Sequence, residues 1–167
     1  MAKATHIVSH WNTMIEGLQA SPQEFFAAVE QEIQRRETPD TKFTRIDWRE
    51  GGLMSAKREY LRVRRKDLAF DVCGAPFGNG FFVSWWLGEV PSGLLAFLAS
   101  IPGLGIFVYW YLRIFKTETY YKYDTASMFQ GLVHAAVLSV IDEFTTAKGL
   151  RALGQDQRTP EMRNFFS

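Results

Sequence analysis

Between Glu89 and Arg113 the chain has no charged side chain, and residues 90–112 read VPSGLLAFLASIPGLGIFVYWYL with Pro102-Gly103 near the middle. Before and after this segment, apolar positions recur with clear periods. Ile7, Trp11, Met14, Ile15 and Leu18 fall at helical spacing and predict a first short helix. Ser21-Pro22-Gln23-Glu24 is a helix start: serine caps, proline suits the first helical position and Glu24 completes a capping box. Phe25, Phe26, Val29 and Ile33 form one buried face, and Arg35 and Arg36 complement the dipole at the end. Residues 7–37 are thus predicted helical.

From Lys42 the period changes to two. Residues 42–48, 55–65, 68–75 and 81–88 predict four strands, separated by Gly51-Gly52, Lys66-Asp67 and Gly78-Asn79-Gly80. Such short connections predict an antiparallel meander over 42–89. The fourth strand, FFVSWWLG, is apolar on both faces, so cover is expected on both sides. The first helices would supply one cover, and the apolar segment or a partner the other.

Past the apolar segment, Phe129, Leu132, Val133, Ala136, Val137, Val140, Ile141 and Phe144 make one wide stripe. It predicts a helix over 124–148, capped by Asp124 or Thr125 and stopped by Gly149. Residues 154–167 form a polar tail, expected to be flexible. The predicted fold is α+β in a single domain. A four-stranded antiparallel meander packs with N-terminal helices and a long C-terminal amphipathic helix, and an apolar helical hairpin occupies 90–115.

The apolar segment has three readings. A single span needs about 20 residues to cross roughly 30 Å. With Glu89 before it and Arg113, Lys116 and Lys122 after it, a span would export the strands. The N-terminal residues have no apolar core of the signal-peptide kind, which argues against export and against secretion. A hairpin turned at 100–105 has arms of about 10–12 residues, or roughly 15–18 Å. That is too short to cross and suited to lying in one leaflet, with both ends on the cytoplasmic side. Its membrane or interface residues would be Leu94, Leu95, Phe97, Leu98, Ile106 and Phe107, with Trp85, Trp86, Tyr109 and Trp110 as interfacial aromatics. In the third reading the same residues are the core of a soluble protein or of an oligomer interface.

Composition narrows the classes. Hydrophobic residues make up 47% of the 167 and mean hydropathy is −0.13, which excludes a polytopic membrane protein. A formal charge of +1 gives no bulk attraction for nucleic acid, so no specific nucleic-acid partner is expected. Cys73 is the single cysteine, so neither an intrachain disulfide nor a thiolate cluster can form. His6 and His10 are four apart but have no third ligand nearby, and read as exposed side chains; no metal is expected.

Catalytic signatures are missing: no phosphate loop, no GxGxxG after a strand, no HExxH and no CxxC. His134 falls off the helical stripe and reads as a satisfied or solvent-facing histidine. The chain is therefore expected not to be an enzyme and to need no cofactor. One patch has chemical content. Arg58, Arg62 and Arg64 share a strand face with Tyr60, a row of guanidinium groups about 6–7 Å apart. Such forks suit phosphate oxygens of a lipid headgroup or nucleotide. An ordinary exposed face, with Asp47, Glu50 and Glu59 as cross-strand partners, is the competing reading.

The function expected from these residues is membrane-associated binding or anchoring on the cytoplasmic face. The hairpin would lie in or on the bilayer and the arginine face near anionic groups. One rival is a soluble homo-oligomeric or partner-bound subunit that buries the hairpin. Another is a ligand sensor or membrane-perturbing effector using the arginine face.

Overall fold

The computed structural model describes residues 6–49, 57–90 and 119–162. In chain order these form β1 (His6–Glu16), α1 (Pro22–Arg35), β2 (Thr41–Arg49), β3 (Lys57–Arg65), β4 (Leu68–Phe77) and β5 (Gly80–Glu89). Helix α2 (Tyr120–Ala147), a 3-10 turn (Asp156–Arg158) and β6 (Glu161–Met162) follow. The sheet order is β2-β3-β4-β5-β1-β6, and every pairing is antiparallel. Five strands are long, and the two-residue β6 completes the edge.

The meander from β2 to β5 is as the alternation predicts. The N-terminal element is not: residues 7–18, expected to be helical, are mostly the long strand β1. Trp11, Thr13 and Ile15 are buried at period two, while Asn12, Met14 and Glu16 are exposed. Thr13, polar by type but β-branched and at home in a strand, hid this alternation. A register shift between Ile7 and Ser9 further breaks the period at the start of the strand. Tertiary pairing decides the matter, because β1 runs beside β5 from His6↔Glu89 to Glu16↔Gly80. That makes the doubly apolar β5 an interior strand, between β4 and β1.

Both helices lie on one side of the sheet. Helix α1 has the expected start, with Pro22 in its first turn and a Ser21/Glu24 capping box. It packs Phe25, Phe26, Val29 and Ile33 inward. Phe25 approaches β4 so closely that a Cβ on Gly74 would lie 2.5 Å from its ring, so only glycine fits there. Helix α2 lays Phe129 edge-on against Phe70, whose ring centroid is 5.8 Å away. Val133, Ala136, Val137, Val140 and Ile141 are buried with it, and Leu132 and Phe144 pack half-buried against the same core. The helix begins at Tyr120, a turn earlier than Asp124 or Thr125 would set it, because Thr119 accepts the Lys122 backbone N–H.

Among the described helices, α2 alone has the length and composition to cross a membrane. Its apolar stripe, however, is occupied by the sheet. The expected polar tail from 154 is ordered to Met162. Leu153 is buried, and β6 pairs with β1 at Ser9↔Met162 and His10↔Glu161.

Candidate functional site

The outer side of the sheet, away from the helices, collects the polar chemistry. On β3 the alternation sends Leu61 and Val63 into the core and Arg58, Tyr60, Arg62 and Arg64 outward. On β4, Asp71 and Cys73 share this outer side, and on β5 Ser84 and Trp86 do, because Asp71 pairs with Trp86 and Cys73 with Ser84.

The four residues of the expected anion site do share one face, but their partners differ from those the sequence suggests. Arg62 is 6% exposed and forms a two-pronged ion pair with Asp71, itself 7% exposed. Nε donates to Oδ1 and Nη2 to Oδ2, both at 2.7 Å. Its fork is thus occupied by a carboxylate from the neighbouring strand, not by Asp47, Glu50 or Glu59. Arg58 is exposed and hydrogen-bonds to Tyr60. Arg64 Nε donates to the Lys66 carbonyl at 3.1 Å.

Burial raises the Tyr60 hydroxyl pKa, with the Cys73 side chain adding to the rise and Arg58 opposing it. Burial likewise raises the Cys73 thiol, against Arg58 and a hydrogen bond with Ser84. Cys73 is therefore held as a neutral thiol, a poor nucleophile.

His134 lies in the core, not outside it. The sheet and the C-terminal segment together cover a wider arc of α2 than the apolar stripe alone implies. Trp85 Nε1 donates to His134 Nδ1 at 3.0 Å, and His134 Nε2 lies 2.7 Å from the Arg158 carbonyl. Nδ1 accepts, so the proton sits on Nε2 and the ring is neutral. Burial, the larger influence, lowers its pKa, and the Arg158 charge lowers it further against the carbonyl bond. With both nitrogens occupied, His134 holds the C-terminal segment to the core. Arg158 itself grips Asp142 through Nη1 at 3.0 Å and Nη2 at 2.5 Å, and Trp11 Nε1 donates to the Gln157 carbonyl at 2.7 Å.

Of the tryptophan pair before the apolar segment, Trp85 is a core residue. Trp86 faces outward at 39% exposure and stacks on His10, ring centroids 4.8 Å apart. Leu94, Leu95, Phe97, Leu98, Ile106, Phe107, Tyr109 and Trp110 lie outside the described residues. The two flanks of that segment are described, and they meet. Glu89, at the end of β5, pairs with Lys122, in the first turn of α2, at 3.5 Å. Val90 N–H also donates to the Asp67 carbonyl at 2.7 Å, which fixes the exit beside the β3–β4 turn. The sequence gave no direct signal for this meeting, since it depends on where α2 crosses the sheet.

Among the described residues, no group of three or more His, Cys, Asp or Glu could hold a metal ion. An open cleft of about 440 Å³ between the end of β1 and residues 151–157 brings Glu16, Arg151 and Asp156 together. Comparison of the chain with family models, curated proteins and solved structures finds no match.

Proposed function

We propose that this is a membrane-associated binding or anchoring protein, whose α+β body carries the apolar segment 90–112 as a closed excursion in or on the bilayer. The observation that carries the reading is the Glu89–Lys122 ion pair at 3.5 Å. A helix crossing the bilayer once would separate its two ends by roughly 30 Å. Flanks in ion-pair contact support a segment that returns to the side it left, as a hairpin does. The body then stays in water on one side, here taken as the cytoplasmic side. The absence of charge between Glu89 and Arg113 favours hydrocarbon or interface as the segment's surroundings.

Flotation with phospholipid vesicles tests the reading: the full chain should rise with the vesicles. Complete recovery in detergent-free buffer as a monodisperse species that ignores vesicles would sink it.

A second reading is a soluble homo-oligomeric or partner-bound subunit that buries the same segment. It is favoured by the outer side of the sheet, where Ala69, Cys73 and Ile46 are buried although neither helix lies there. Light scattering separates the two, because this reading requires a discrete oligomer or complex in buffer without lipid.

A further inference from the structure

We propose that the end of the sheet from which the apolar segment departs selects anionic lipid headgroups, through Lys42, Arg64 and Lys66 with Tyr120 and Tyr121 beside them. The inference rests on the membrane reading and adds which lipids the body prefers and which residues read them. It also moves the anion site from the middle of β3, where Asp71 occupies Arg62, to the strand ends.

Strand register builds the cluster. Thr41, Arg65, Leu68, Glu89 and His6 stand in one row across the sheet, and Lys42 lies directly opposite Arg64 in the next row. Like charges directly opposite one another on a sheet face are destabilising, with Cβ atoms about 4.5–5.5 Å apart. Here lysine nonetheless faces arginine, and Arg65 and Lys66 follow at once. The Arg64 bond to the Lys66 carbonyl draws that guanidinium toward the turn. Lys42 and Lys66 are exposed and Arg64 is half-buried. The acidic groups at this end are Asp40, Asp67 and Glu89, and Lys122 already engages Glu89. An anion bridging Lys42 and Arg64 would relieve their repulsion.

Two further features favour a lipid source for that anion. The Glu89–Lys122 pair brings the start of α2 to this end, and with it Tyr120 and Tyr121, which are 90% and 75% exposed. Aromatic rings with a polar tip concentrate at the headgroup level of a bilayer. The apolar segment also begins here, at Val90. Cations at the base of a segment lying in hydrocarbon meet the headgroup layer, where each is worth about a fivefold gain on an anionic surface.

The test is flotation of the full chain with vesicles of phosphatidylcholine alone and of phosphatidylcholine mixed with phosphatidylserine. Wild type should prefer the mixed vesicles, and the preference should fall with added salt. The triple variant K42Q/R64Q/K66Q should lose on the order of a hundredfold of it. The charge-keeping variant K42R/R64K/K66R should retain it, as should R151Q at the far end of the sheet. Equal binding to both vesicle types, or a triple variant that keeps the preference, overturns the headgroup selection and leaves the membrane reading standing. An equal loss in R151Q would assign the effect to net charge and overturn it too. Binding to neither vesicle type overturns the membrane reading and this inference together.

Discussion

Trp85 donates its indole N–H to Nδ1 of His134, a 3.0 Å bond that joins the central strand β5 to α2 inside the core. The opposite ring nitrogen is held by the Arg158 carbonyl, so protonation would require Nδ1 to give up Trp85. The folded chain therefore favours neutral His134, in line with its lowered pKa. A histidine in an unfolded chain protonates near pH 6.5. The contribution of His134 to stability is full above that value. It is lost as pH falls from there toward the lower folded value, where the unfolded chain binds the proton first. Urea denaturation from neutral pH to about pH 5 should show stability falling, with a shallower slope in H134Q. An unchanged slope in H134Q would assign the acid sensitivity to other groups.

The Arg62–Asp71 pair predicts an asymmetry between single and double replacements. Removing one partner leaves a buried charge without compensation, so D71A and R62A should each cost about 3–5 kcal/mol. Replacing both by apolar residues of similar size, R62M/D71L, should recover most of that loss. Chemical denaturation of the three variants measures the coupling. Additive losses would show that the two side chains do not act as a unit.

Burial and a raised pKa should make Cys73 slow to react. In the native protein an aromatic disulfide reagent should label it only as fast as the sheet opens, and promptly once urea unfolds the chain. Native labelling as fast as that of a free thiol would mean that the outer side of the sheet is open to solvent.

The contact between Glu89 and Lys122 predicts that the two flanks of the apolar segment stay together on a membrane. In a C73S background, E89C/K122C should be joined by a short bis-maleimide in buffer and on vesicles alike. Cross-linking that disappears on vesicle binding would mean that the segment's ends separate there.

Much of the architecture was legible in the chain. The change of period at Lys42, the glycine turns and the alternation through β3 and β4 specify the meander, because a strand with one buried face must alternate. Ser21-Pro22 specifies the start of α1 for an equally local reason: the first turn of a helix needs its backbone N–H groups capped. Other features depend on neighbours that no local pattern reports. Thr13 disguised β1, whose identity is set by its pairing with β5. His134 reads as peripheral until the C-terminal segment closes over it, and that segment reads as a loose tail until Trp11, His134 and Asp142 grip it. The arginine row is visible as a row, but Asp71, contributed by the next strand, decides that Arg62 is not available to a ligand.

The sequence by itself determined that an uncharged, aromatic-flanked segment interrupts the fold between β5 and α2, since composition and charge need no partner to be read. Only the tertiary structure decided that the segment's two flanks meet. That contact depends on α2 packing back across the sheet, where long-range burial of Phe129, Val133 and Val137 sets the helix in position. The crossing brings Lys122 to Glu89 and turns a stretch of hydrophobic residues into a closed excursion from one end of the body.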